Sequence, residues 1–312
     1  MALTLAESAK FSTDQLLVGT IESFVQEAVV LDRLPLITVQ GNAYTYNQEA
    51  SLPGVAFRAV NSAYAESTGV VNPVSETLKI LGGDIDVDRF LVQTRGNLHD
   101  LRAEQTAMKL KAMNYAFNES FINGDGASNN ITGLKARLTG VQVISAATNG
   151  LPIVSTTDDA RHAFMDKVDE TLAAVQGGAD VIYVNSAIRS KLRSAARRLG
   201  FWDKSTDAFG RVVELYNGIP IQDIGQDSSG TDIIGVAETQ GSSNATSSLY
   251  AVKFSASEGS VGVAGINNGG MQVTDLGECS DKAVYRTRVE LYVGLALFGG
   301  RSAARLKGIL NA

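Results

Sequence analysis

Residues 97–126 read NLHDLRAEQTAMKLKAMNYAFNESFINGDG, and this stretch decides the fold. Leu110, Met113, Phe117 and Phe121 recur at helical spacing as one apolar row, and Leu98, Leu101, Met108, Ala112 and Tyr115 are expected to extend the buried arc. Asn97 with Asp100 supplies an opening cap, and Asn123-Gly124 supplies the stop. The pattern predicts a helix from Asn97 to about Ile122, about 39 Å long at the standard rise. Gly124 is expected to take the left-handed backbone that ends many helices. A rod of this length with so broad an apolar arc is a spine around which sheets pack, and its Met and Phe stripe is core rather than a cofactor box.

Upstream, residues 12–34 predict an amphipathic helix, with Ser12 and Gln15 in capping-box spacing, Leu17, Ile21, Phe24, Ala28 and Leu31 on one face, and Pro35 as the stop. It is an arm that packs either on a neighbouring subunit or on its own domain. From Leu36 to about Gln93 short β-like pieces follow, among them Ile37-Thr38-Val39, Ala43 to Tyr46, Gly54 to Arg58 and Thr77 to Leu81. Charges between Leu36 and Leu78 are confined to Glu49, Arg58, Glu66 and Glu76, so this segment reads as an extended ribbon that needs partners along its edges. At its end Asp84, Asp86 and Asp88 alternate with Ile85 and Val87. A calcium loop would need glycine where Arg89 stands and glutamate six residues later, so a solvated strand face is expected.

Downstream the order is mixed. Asp158 to Val175 predicts a helix closed by Gly177-Gly178, Asp180 to Val184 a buried strand, and Ser186 to Leu199 a helix closed by Gly200. Arg211 to Leu215 and Ile219 to Ile224 flank Asn217-Gly218, a favoured two-residue hairpin turn. Three or four strands follow between Ile233 and Leu276, and long β-like segments run from Lys282 to Phe298. The class is α+β rather than doubly wound α/β, and there is no fixed-period repeat.

Composition excludes several functions. At 312 residues the chain exceeds the length at which one core usually suffices, so two lobes are expected. A net charge of -6 gives no basic footprint for tight nucleic-acid binding. Its 31 glycines against 5 prolines suit β-ribbons and turns. The N-terminus lacks a signal-peptide pattern, and the longest apolar stretch, near Leu291 to Phe298, is too short to span a membrane, so the chain is expected to be made and kept in a cytoplasm. Cys279 stands alone and has no basic neighbour in sequence to activate it. His99 and His162 lie inside predicted helices without a partner motif, and no HExxH, GxSxG, CxxC or Walker sequence occurs. Gly124-Asp125-Gly126 follows a helix instead of opening one, so it is a turn and not a nucleotide loop. Arg189, Lys191, Arg193, Arg197 and Arg198 put five positive charges on one helix, either a solvated face or a contact for DNA or an acidic neighbour. The expectation is a structural protein with no catalytic, cofactor-binding or metal-binding residues.

The order of arm, ribbon, long helix, mixed lobe and closing strands resembles the major capsid proteins of tailed bacteriophages, the Hong Kong 97 type of fold. The likeness rests on Phe121-Ile122-Asn123-Gly124-Asp125-Gly126 followed by Gly133-Leu134, on Asn217-Gly218-Ile219-Pro220-Ile221, and on Val289 to Arg305 with Gly294 and the ending Ser302-Ala303-Ala304-Arg305-Leu306. The resemblance implies an N-terminal arm at 1–35, an extended loop and first peripheral strands at 36–93, a spine helix and turn at 94–133, an axial domain at 134–275, and closing peripheral strands at 276–312. It further implies a subunit of an icosahedral or prolate head shell, built from hexamers and pentamers, assembled in the host cytoplasm and located in the virion. Portal protein, a separate scaffold protein, a decoration protein and weakly held double-stranded DNA are the implied partners, with no membrane. The alternative is an encapsulin-type nanocompartment shell around a cargo enzyme. Some members of the capsid family weld subunits through an isopeptide bond from a lysine on the extended loop. This chain has no lysine between Lys10 and Lys79, so cohesion is expected from Tyr44, Tyr46, Phe57 and Tyr64, with ion pairs from Glu49, Arg58 and Glu66.

Overall fold

The computed structural model describes residues 29–95, 101–127, 129–155, 158–199, 203–206, 212–257 and 259–311. The chain runs through β1 (Leu36–Thr38), β2 (Ala43–Ser51), β3 (Val70–Thr77) and β4 (Lys79–Asp88), then α1 (Arg89–Arg95), the spine α2 (Leu101–Asn123) and the short α3 (Leu134–Arg137). There follow β5 (Val143–Ser145), β6 (Leu151–Pro152), α4 (Asp158–Ala174), β7 (Val181–Val184), α5 (Ser186–Leu199), β8 (Asp203–Thr206), β9 (Val212–Tyr216) and β10 (Ile219–Asp223). The last elements are β11 (Glu238–Gln240), β12 (Ser243–Val252), β13 (Gly262–Glu278), β14 (Val284–Phe298) and β15 (Ala303–Leu310).

Three sheets organise the molecule. The order β1-β13-β14-β4 forms a four-stranded sheet beneath the spine. The expected apolar row of the spine, Leu110, Met113, Phe117 and Phe121, is buried against Ile85, Val87, Val289, Leu291, Val293 and Leu295 of that sheet, whereas Met108 and Ala112, expected to extend the buried arc, are exposed, so the covered face is narrower than the apolar pattern implied. A larger sheet runs β5-β15-β12-β7-β10-β9-β8, with β11 paired to β12 and β6 to β15. Its central strand β7 is buried at every position because both faces are covered. Val181 and Tyr183 join the spine core, while Ile182 and Val184 join a second core with Phe164, Val168, Ile188 and Leu192 of α4 and α5. The third sheet is the β2-β3 ribbon alone.

Several expectations shift. The helix expected over 12–34 falls largely on residues outside those described, but 29–33 run as turns, and Val30, Leu31 and Leu34 are buried in the spine core. The end of the arm therefore belongs to its own subunit's core. The expected division at 275/276 falls inside β13, and β15 joins the larger sheet instead of closing the smaller one. On β15 Ala303 faces the spine core, whereas Ala304 and Leu306 face the other.

The FINGDG turn forms where expected, for a different reason. Gly124 has no positive φ; Gly126 does, at 74°. Gly124 N–H donates to the Ser120 carbonyl at 3.0 Å, and its own carbonyl accepts from Gly133 N–H at 2.8 Å. A Cβ on Gly124 would meet the carbonyl oxygens of Ile131 and Ser120, and one on Gly133 would lie 2.6 Å from the Ser120 oxygen. Close backbone approach, not handedness, demands glycine here. Asn217 and Gly218 turn the β9-β10 hairpin with φ of 50° and 78°, the pair of positive values that such a turn requires.

Candidate assembly surface

The ribbon carries the largest exposed apolar surface among the described residues. Between β2 and β3 the chain reaches a tip where Leu52, Val55, Phe57 and Val60 are 77%, 95%, 108% and 90% exposed, and Tyr64 is 67% exposed. The tip is nonetheless shaped. Arg58 donates to the Ser62 carbonyl at 3.0 Å and lies over the Tyr64 ring at 5.2 Å. Ser62 Oγ donates to the Ala59 carbonyl at 2.9 Å, and Ser67 Oγ donates to the Gly54 carbonyl at 2.9 Å across the ribbon. These apolar side chains lie outside every core of their own chain, on a loop whose backbone is held by its own hydrogen bonds. Two of the four aromatics expected at this interface are spoken for. Tyr46 is 5% exposed and stacks edge-on to Phe298, and Tyr44 packs on the same ring at 6.3 Å. Phe57 and Tyr64 remain available.

Beside the spine, Asp84 and Asp86 of β4 are paired rather than merely solvated, while Asp88 accepts the Phe90 backbone N–H. Register places Asp86 opposite Arg286 and Asp84 opposite Arg288. Arg286 donates to both oxygens of Asp86 at 2.6 and 2.7 Å, and Arg288 to both of Asp84 at 2.7 and 2.9 Å. Arg102 of the spine reaches Asp275 at 2.7 Å and Thr287 Oγ1 at 2.9 Å, and Arg89 reaches Glu278 at 3.0 Å. This ladder fastens the edge strand and the spine to the long hairpin. The Arg288 hydrogen bond holds Asp84 below the usual carboxylate range, and Arg286 and Arg102 do the same for Asp86 and Asp275.

A depressed folded-state pKa stabilises the fold fully above the ordinary value of 3.8, and this contribution is lost as pH falls through the lower folded values. The Asp84→Asn/Asp86→Asn variant should therefore melt below the wild type at pH 7 and converge with it as pH drops under that ordinary value. Thermal melts across pH would show this, and a constant gap at all pH values would refute it.

The other sequence candidates are scattered. His162 is exposed on α4, and His99 lies outside the described residues. Cys279 is half-buried and free. On α5, Arg189 pairs with Glu214 at 3.2 Å and Arg193 pairs with the same carboxylate, which removes two of the five charges from the free basic face. Among the described residues no three His, Cys, Asp or Glu side chains stand close enough to hold a metal ion, and no helix is long and apolar enough to cross a membrane. The Glu76–Arg137 and Glu238–Arg305 pairs that tie the elements together had no local sequence signal, because the partners lie 61 and 67 residues apart.

Comparison with known proteins agrees with this architecture. No curated protein matches the chain by sequence. Among solved structures, the encapsulin SrpI from Synechococcus elongatus PCC 7942 is similar at 17% identity and a TM-score of 0.68, covering 91% of this chain and 88% of that one. The capsid of a native GTA particle is similar at 14% identity and a TM-score of 0.62, covering 91% and 90%. That of Mycobacterium phage Bobi is similar at 14% identity and a TM-score of 0.61, covering 89% of each chain. The family described as major capsid protein GP7 matches residues 19–157, which hold the ribbon, the spine and its turn. The chain thus has the Hong Kong 97 type fold of phage major capsid proteins, and over its ribbon and spine it carries the match to the major capsid protein GP7 family.

Proposed function

We propose that this chain is the major capsid protein of a tailed bacteriophage, a structural rather than catalytic subunit that assembles with copies of itself into a closed head shell. The observation that carries the reading is the shaped apolar ribbon tip, which has no core in its own chain to enter. Hexamers and pentamers of the chain would bury it against neighbours. In this reading residues 1–35 form the arm, 36–93 the extended loop and first peripheral strands, and 94–133 the spine and its turn. The axial lobe comprises most of 134–261 together with β15, and β13 and β14 complete the peripheral lobe. A portal protein, a separate scaffold and a decoration protein are the expected partners in the virion, with assembly in the host cytoplasm. Lys191, Arg197 and Arg198 offer at most a weak, non-specific contact for packaged DNA.

The TM-score of 0.68 to an encapsulin favours a second reading, a nanocompartment shell around a protein cargo. The match of residues 19–157 to a capsid family weighs towards the first. Electron microscopy of purified particles tests both: a shell filled with nucleic acid supports the phage reading, and one filled with protein supports the encapsulin. A chain that stays monomeric under all assembly conditions would overturn both. Mature particles boiled in detergent should run as one band near 32.9 kDa, because the ribbon tip carries no lysine amine for an isopeptide weld. A ladder that survives reducing agent would refute this, with Lys79 the first residue to substitute.

A further inference from the structure

The ribbon meets the body through one face at its base. Register sets Tyr44 opposite Glu76 and Tyr46 opposite Val74, so these four side chains share a face, while Thr45, Asn47 and Ser75 on the other are exposed. Three of the four pack in the Phe298 cluster, and Tyr46 Oη also accepts a long hydrogen bond from Leu297 N–H at 3.3 Å. The fourth is charged. Glu76 accepts from both ends of the Arg137 guanidinium, Nη1 to Oε1 and Nη2 to Oε2, the latter at 2.7 Å. The same guanidinium donates from Nε to the Thr132 carbonyl at 2.7 Å and from Nη2 to the Leu295 carbonyl at 3.2 Å. The two side chains are 14% and 16% exposed. One planar group therefore joins the ribbon, the long strand β14 and the turn after the spine.

We propose that Arg137 is a positioning residue for assembly, a latch whose bidentate pair with Glu76 sets the angle at which the ribbon is offered to a neighbouring copy of the chain. This rests on the reading of the chain as a shell subunit. A two-stranded ribbon is marginal on its own, so its orientation comes from the base. Bidentate charge-assisted bonds are directional in a way that aromatic packing is not. The lever is long: Tyr46 to Phe57 spans up to about 35 Å at strand rise, so a tilt of about 10° at the base moves the tip by about 6 Å. That exceeds what a packed interface tolerates. Lysine at 137 would keep the charge and lose the fork, and it could not serve Glu76, Thr132 and Leu295 together.

The test uses the full chain with Glu76→Gln and, separately, Arg137→Lys. Hydrogen exchange on unassembled subunits should show amides of β2 and β3 exchanging about tenfold faster in both variants, with β7 and β12 unchanged. Particle yield should fall severalfold, or particle diameters should spread. Unchanged ribbon exchange would overturn the latch. Faster exchange with wild-type yield and uniform diameter would overturn its role in assembly. Faster exchange in a chain whose wild type never forms particles would overturn the shell reading and the role in assembly that rests on it.

Discussion

Replacing Val55 and Phe57 by aspartate should leave a subunit that folds and melts like the wild type and builds no shells. Both side chains are almost fully exposed, at 95% and 108%, so they give nothing to their own fold. Surface changes of that kind alter stability by about 0.5 kcal/mol or less. At an interface the same residues would each contribute about 1.5–3 kcal/mol on burial. Their loss, with two carboxylates to desolvate, weakens every ribbon contact by about 3 kcal/mol or more, roughly a hundredfold or greater in affinity. A shell repeats the contact at every subunit, so assembly should fail outright. Circular dichroism melts and negative-stain imaging separate the two effects. Normal shells from the double variant would place the interface elsewhere, and a lost melt would mean the tip packs on its own chain.

Gly124→Val should yield little or no soluble protein. The carbonyls of Ile131 and Ser120 occupy the space a Cβ would need, and both belong to backbone that cannot swing aside like a flexible side chain. The turn must open, which breaks the Gly133 N–H to Gly124 carbonyl bond and displaces Leu134, fully buried in the spine core. A loss of about 3–5 kcal/mol follows from such strain combined with disturbed core packing, against a total stability of about 5–15 kcal/mol. Gly235→Val is the control, since a Cβ there meets nothing within 4 Å. Equal soluble yields of the two variants would show that the turn is not constrained as described.

The spine, the helices α4 and α5, the strand between them and the β9-β10 hairpin were legible because each is specified locally. Helical periodicity, glycine stops and an Asn-Gly turn are properties of a few consecutive residues. The need for glycine at 124 was legible, but its cause was not, because the obstructing Ile131 oxygen comes from across the turn. The aspartates of β4 were legible as one face of a strand. The arginine partners of Asp86 and Asp84 lie 200 and 204 residues away and emerge only once β14 pairs with β4. The ribbon's aromatics divided in the same way: composition marked all four as cohesive, and only the packing of Phe298 decided that Tyr44 and Tyr46 face inward while Phe57 and Tyr64 face out.

By itself the sequence determined the α+β class, the buried row of the spine and the lysine-free ribbon, since periodicity and residue chemistry act over a few neighbours, but it expected a strand piece at Gly54 to Arg58, where none forms, and missed the helix Arg89–Arg95. Tertiary structure decided which sheet each strand enters, which charges are neutralised and where the ribbon is held. Strand β15 shows why: Ala304 and Leu306 make one face apolar while Ala303 shares the other with Arg305 and Lys307, a pattern that demands cover but names neither neighbour. Only the assembled sheet, with β12 on one edge and β5 and β6 on the other, fixes its place, because strand pairing is a contact between segments that the chain brings together solely by folding.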